Sequence, residues 1–314
     1  TCGDGGGDRA RDRRTRAPES TPGPGAASAP PPRAGLCLRA VRRRLRSEGF
    51  VLVPALPAIA LFVYWGAHEG GYLPTTWGVS ALLVLGLLAA TVAGLGLTRI
   101  RLARPVALAL VALAAYVAWS YLSIAWAAAP GDALEGSNRA LLFLLLFALF
   151  AVLPWRAWTA YAALSAFALG VGGLAVAVLV RLGSPADVRA MFIEARLSEP
   201  LGYVNATPAL FTMAALVAIG LGARRELPPL VRAALLAAAT AGLHASVLSE
   251  SRGWLFSLPV VAVATVAVAP NRVRLVLWSL PPIAGGVAAL PALLDVYQRT
   301  AAAAGDSLAA SQRA

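Results

Sequence analysis

The feature that most restricts this chain is a series of apolar runs, roughly 15 to 23 residues each with few or no charges. They lie at about 50–66, 77–97, 105–126, 140–153, 158–180, 208–222, 231–248, 254–269 and 275–290. An α-helix rises about 1.5 Å per residue, so such runs approach the ~30 Å thickness of a bilayer's hydrocarbon core. Lipid offers no partner to an open sheet edge, which leaves helices or a closed barrel. Barrel strands alternate apolar and polar residues, whereas these runs read as continuous Leu, Ala and Val. Composition agrees: 13% of residues are charged, against about 25% in a soluble domain. The expected fold is all-α, a polytopic transmembrane helical bundle of about nine spans over 49–290.

The net charge of +12 raises the question of nucleic acid. The basic residues punctuate the apolar runs instead of forming one surface, so they are read as membrane topology, with no nucleic-acid partner. All 27 are Arg, as expected of a GC-rich bacterial genome. Residues 1–48 are Gly, Pro, Arg, Asp and Ser-rich and are expected to be a disordered cytoplasmic tail. Arg39, Arg42, Arg43, Arg44 and Arg46 at its end read as a cytoplasmic anchor before the first span. From a cytoplasmic N-terminus, Arg99, Arg101, Arg104, Arg156, Arg224, Arg225, Arg232, Arg272 and Arg274 all fall on the cytoplasmic side, as the positive-inside rule requires. Cys2 and Cys37 have no partner at metal-ligand spacing and receive no role. The chain starts with Thr and ends in mid-segment, so it is expected to be a piece of a longer protein, with 291–314 the start of an external loop.

The outer connections hold the informative residues. Acids gather there (Glu69, Asp132, Glu135, Asp187, Glu194, Glu199, Glu250), but so do Arg139, Arg181, Arg189, Arg196 and Arg252. A desolvated Arg at a membrane boundary must pair, snorkel or bind an anion. One reading is salt bridges with the neighbouring acids; the other is an external anion site. The longest outer connection, about 181–207, contains Glu194-Ala-Arg-Leu-Ser-Glu-Pro-Leu-Gly-Tyr-Val-Asn205, where Pro200, Gly202 and Asn205 predict irregular backbone. Next, Ser249-Glu-Ser-Arg-Gly253 is wedged between two spans and places Arg252 at a helix N-terminus, an unfavourable position for a cation. Either an anion sits there among free N–H groups, or Arg252 pairs with Glu250. A third block is Trp119-Ser-Tyr-Leu-Ser-Ile-Ala-Trp126, then Pro130 and Arg139, whose aromatics fit an interfacial belt. His244 lies inside a span, where a structural hydrogen bond to a neighbouring helix competes with a functional role. His68 has no evident partner.

In the Trp119…Ser123…Trp126…Pro130…Arg139 block, the Arg196-Leu-Ser-Glu-Pro-Leu-Gly-Tyr-Val-Asn205 loop and the Ser251-Arg252-Gly253 turn, the chain resembles the O-antigen ligase and O-antigen polymerase family of bacterial envelope glycosyltransferases. The resemblance covers about 115–290. It implies a multi-pass protein of the bacterial cytoplasmic membrane, moving a glycan from an undecaprenyl-diphosphate carrier to an acceptor hydroxyl outside. It implies no metal and no cofactor. Arg196 and Arg252 become candidate diphosphate ligands, with Arg139 weaker and Tyr203 and Asn205 beside them. The family's base, a His in the large external loop, is expected beyond Ala314. Two other classes compete: a polytopic transporter, and a non-catalytic partner in envelope-polymer export. A transporter places polar groups and broken helices near the bilayer midplane; here the span interiors are nearly all apolar and the charges sit at the rim.

Overall fold

The computed structural model describes residues 49–96, 100–183, 191–193 and 196–311. The tail at 1–48 with its anchoring arginines, Arg99, and the connection residues Asp187, Arg189 and Glu194 lie outside the described residues.

Nine α-helices occur among the described residues: α1 (Leu52–Ala67), α2 (Pro74–Leu95), α3 (Arg104–Ser123), α4 (Pro130–Val152), α5 (Ala157–Arg181), α6 (Ala206–Gly222), α7 (Pro229–Val247), α8 (Arg252–Val268) and α9 (Arg272–Ser311). Their starts follow local chemistry. Proline stands in the first turn of α2, α3, α4 and α7, where its missing N–H costs nothing and its fixed φ suits the helix. Seven segments are long and apolar enough to cross a membrane, and the chain is an all-α, multi-pass membrane protein. The other two helices, α6 and α8, are apolar but only 17 residues long, near the lower limit for a span.

The core is built from α5, α6 and α7, which pack against one another. Val171, Ala175, Phe211, Ala214, Ala245 and Leu248 form one buried cluster with Met191 and Leu197 of the long connection. Between lipid-embedded helices the contact surface is van der Waals packing, so small residues that admit close approach dominate. Gly172 of α5 is the tightest such point: a Cβ there would lie 2.3 Å from the Cβ of Ala238 on α7. Around this core α1 packs on α5, both α2 and α3 pack on α4, and α9 packs on α7. Helix α8 buries none of its residues.

Antiparallel helices with short connections divide the loops between two ends. One end carries the long connection and is called the loop end below. There a two-residue antiparallel hairpin, β1 (Phe192–Ile193) with β2 (Arg196–Leu197), pairs Phe192 with Leu197 and Ile193 with Arg196. Turns follow at 199–205, with a cis Glu199–Pro200 bond and Gly202 at φ 71°. The expected irregular backbone is therefore present, preceded by a strand pair that the composition did not signal.

The boundary expected near 290 is not a helix end. Helix α9 continues through Pro291 to Ser311, with Pro281, Pro282 and Pro291 inside it. Each proline deletes one intrahelical hydrogen bond. The Ala- and Leu-rich sequence on both sides favours helix strongly enough to carry it on.

Candidate functional site

Three segments meet at the loop end through named hydrogen bonds. The backbone N–H of Leu197 donates to the Leu248 carbonyl (3.0 Å), fixing β2 against the end of α7. Thr207, buried at the start of α6, donates through Oγ1 to the Ser198 carbonyl (2.6 Å). Ser251 donates through Oγ to Asn205 Oδ1 (2.8 Å), tying the start of α8 to the turn before α6. Asn205 in turn donates from Nδ2 to the Tyr203 hydroxyl (2.9 Å), and Tyr203 is exposed. Leu201 lies beside Gly70 and Gly202 beside Glu69, so the α1–α2 turn belongs to the same rim.

Ser251 is also the N-cap of α8: its Oγ accepts the Trp254 N–H at 3.2 Å. The N–H groups of Arg252 and Gly253, the first two residues of the helix, keep no intrahelical acceptor. The Arg252 side chain is exposed and makes no hydrogen bond or ion pair among the described residues. Glu250, its expected alternative partner, stands in a left-handed backbone conformation (φ 44°) and forms no ion pair with it among the described residues. A guanidinium repelled by its own helix end and flanked by two open N–H groups is chemically suited to an anion. Arg196 precedes Leu197, and through the Leu197–Leu248 bond it stands at the α7–α8 turn that leads into Arg252. Arg196, Tyr203, Asn205 and Arg252, four of the five residues singled out by sequence, are thus linked through the long connection and the α7–α8 turn.

Arg139 reaches the α1–α2 turn of the same rim but is already engaged there. It is paired with Glu135 one turn earlier on α4, donates to the Tyr72 carbonyl (2.7 Å) and stacks over the Tyr72 ring at 4.4 Å. It fastens α4 to the α1–α2 turn. Arg181 is likewise engaged, with Glu199 Oε2 at 2.7 Å. For these two the salt-bridge reading of the outer arginines holds; Arg252 has no such partner among the described residues.

Of the two histidines, His244 donates from Nε2 to the Gly285 carbonyl on α9 (3.1 Å), a structural bond between helices. His68 was passed over in the sequence for want of a partner. It caps the end of α1, with Nδ1 donating to the Tyr64 carbonyl (2.9 Å) and the ring tilted against that of Tyr64, centroids 4.1 Å apart. That bond puts a proton on Nδ1, so that in the neutral ring Nε2 is the lone-pair acceptor, on an exposed side chain. The i–4 placement of Tyr64 and a following Glu-Gly-Gly turn were the only signals the sequence held. Among the described residues no group of His, Cys, Asp and Glu is arranged to hold a metal ion.

No protein-family model, curated protein or solved structure matches the chain.

Proposed function

We propose that this chain is an O-antigen ligase-like glycosyltransferase of the bacterial cytoplasmic membrane. It would transfer a glycan from an undecaprenyl-diphosphate carrier to an acceptor hydroxyl at the loop end. In this reading α6 and α8 also cross the membrane, giving nine spans with a cytoplasmic N-terminus and an external loop end. The observation that carries it is Arg252: an exposed, unpaired guanidinium at the head of an otherwise apolar helix, tied by its neighbour Ser251 to the Tyr203–Asn205 turn.

Transfer breaks the bond between the anomeric carbon and a diphosphate oxygen and forms one from that carbon to the acceptor oxygen. Negative charge grows on the departing diphosphate, where a prepositioned guanidinium and open N–H groups stabilise it. The acceptor's proton must pass to a base. Within the described residues His68 Nε2 has the chemistry for that step, on the same rim and with its tautomer set by Tyr64.

The test is transfer of radiolabelled glycan from the undecaprenyl-diphosphate carrier by the reconstituted protein, comparing wild type with Arg252→Ala, Arg196→Ala and His68→Asn. Loss of at least about a hundredfold in the Arg252 variant, with insertion unchanged, is the expected result, the size of removing one oxyanion-type donor. Equal transfer by wild type and Arg252→Ala would remove the assignment of that residue. Absence of transfer by wild type, with substrate uptake in its place, would replace the reading with a transporter.

A further inference from the structure

The end of the bundle opposite the loops carries a second concentration of arginine with a different environment. Arg224 and Arg225 stand in the α6–α7 connection, Arg232 in the first turn of α7, and Arg274 in the first turn of α9. Arg232 is the hinge of the group. Its Nε donates to the Gly222 carbonyl at the end of α6 (2.8 Å), and its guanidinium stacks over the ring of Trp278 on α9 at 4.2 Å. One residue therefore draws α6, α7 and α9 together. Arg274 lies one turn before Trp278, on the same face of α9, and feels the charges of Arg225 and Arg232, the opposing charge of Glu226, and that of Arg224. Arg224 sits 5.9 Å over the Tyr161 ring of α5. The only acid in the connection is Glu226, and among the described residues none of the four arginines forms an ion pair.

Topology alone asks for arginines on one side of the membrane, each free to stay apart in water. It does not ask four of them to gather across three elements with a single carboxylate, Glu226, among them. The first turns of α7 and α9 that carry Arg232 and Arg274 also present apolar side chains to the surroundings: Leu230 is 81% exposed and Val273 76%. An anion that fits must bring negative charge to the headgroup level and hydrocarbon to Leu230 and Val273. We propose that this cluster is a binding site for an anionic phospholipid, its phosphate held by Arg225, Arg232 and Arg274 and its acyl chains lying along α7 and α9. Basic pockets between helices at a membrane surface hold such headgroups by the same balance of charge and apolar contact. The inference is independent of glycan transfer and of which side of the membrane this end faces.

The test uses the full chain purified in detergent and native mass spectrometry with three probes: phosphatidylglycerol, phosphatidylcholine and inorganic phosphate. Wild type is expected to retain phosphatidylglycerol at least about tenfold better than phosphatidylcholine, and excess inorganic phosphate is expected not to displace it. Arg232 also holds helices together, so the decisive variant is Arg225→Gln/Arg274→Gln, which leaves the Gly222 bond and the Trp278 stack in place. It should lose that preference by roughly tenfold or more, whereas Arg101→Gln/Arg104→Gln, with equal charge removed elsewhere, should keep it. Equal retention of the two lipids by wild type, equal loss in both double variants, or displacement by inorganic phosphate would each overturn the proposal.

Discussion

Ser251 Oγ donates to Asn205 Oδ1 at 2.8 Å and accepts the Trp254 backbone N–H at 3.2 Å. One hydroxyl therefore caps α8 and joins it to a turn 46 residues earlier. Because Arg252 follows directly, this oxygen also decides where that guanidinium stands.

That pairing predicts non-additivity. Ser251→Ala should cost about 1–2 kcal/mol, combining a lost N-cap with a lost side-chain bond. Asn205→Ala should cost less. The double variant should fall short of the sum by about 0.5 kcal/mol or more, as expected for residues in contact. Unfolding in mixed micelles, followed by circular dichroism, measures the cycle; simple addition would mean the bond contributes nothing to the folded state.

Trp254 donates from Nε1 to Thr212 Oγ1 at 2.7 Å. Thr212 must then donate to Ser246 Oγ (3.2 Å), because Ser246 uses its own proton on the Gly242 carbonyl (2.8 Å). The direction of each bond is fixed by the one before it. Trp254→Phe removes the first donor while keeping an aromatic ring in place. It is expected to cost about 0.6–1.7 kcal/mol, the range for hydrogen bonds between membrane helices. Thr212→Val should cost at least as much, since it strands the indole N–H as well. The same micelle titration decides it, and an unchanged midpoint in both variants would remove the relay from the account.

Gly172→Ala should be destabilising by about 1–3 kcal/mol, the usual cost of overpacking. The new methyl would meet Ala238 Cβ at 2.3 Å and its backbone Cα at 3.0 Å, neither of which can rotate away. Gly173→Ala, one position along with open space around it, is the control. Similar thermal stabilities for the two would show that α5 and α7 are not in close contact at this level.

The outer arginines should separate into two kinds. Arg139→Ala removes the link to Glu135, the bond to Tyr72 and the stack on its ring, and is expected to lower stability by about 1–3 kcal/mol. Arg252→Ala breaks no contact among the described residues, and its folded stability should stay within about 0.5 kcal/mol of wild type. Comparable losses in both would mean Arg252 has a structural partner.

The helices were legible because apolar length is a strong local signal; all nine expected runs overlap helices of the structure. Arg252 at the head of α8 was legible for the same reason, since Ser251 and Gly253 mark a boundary. Partnership was not. Arg139 and Arg252 look alike in sequence, but only Arg139 has a carboxylate at i–4 on its own helix, together with a ring brought from α2's approach. The expected run at 275–290 lies inside the apolar stretch Arg272–Asp295, but the sequence did not show that the helix carries on to Ser311. His68 was missed because its anchor is a main-chain carbonyl, which every residue possesses and no composition reveals.

The absence of any buried residue in α8 bears on how the protein is made. The helices before it already bury one another, so the α5–α6–α7 core does not depend on α8 for closure. During synthesis α8 would arrive late, as a lipid-solvated segment, and dock by its two ends: Ser251 and Trp254 at its start, and at its finish the Arg272 guanidinium on the Ala267 carbonyl (2.9 Å). Arg252 would thus take up its position only after the α5–α7 core has formed. Pulse-chase proteolysis of nascent chains should find the α5–α7 region protected before cleavage sites near Ser251 become resistant.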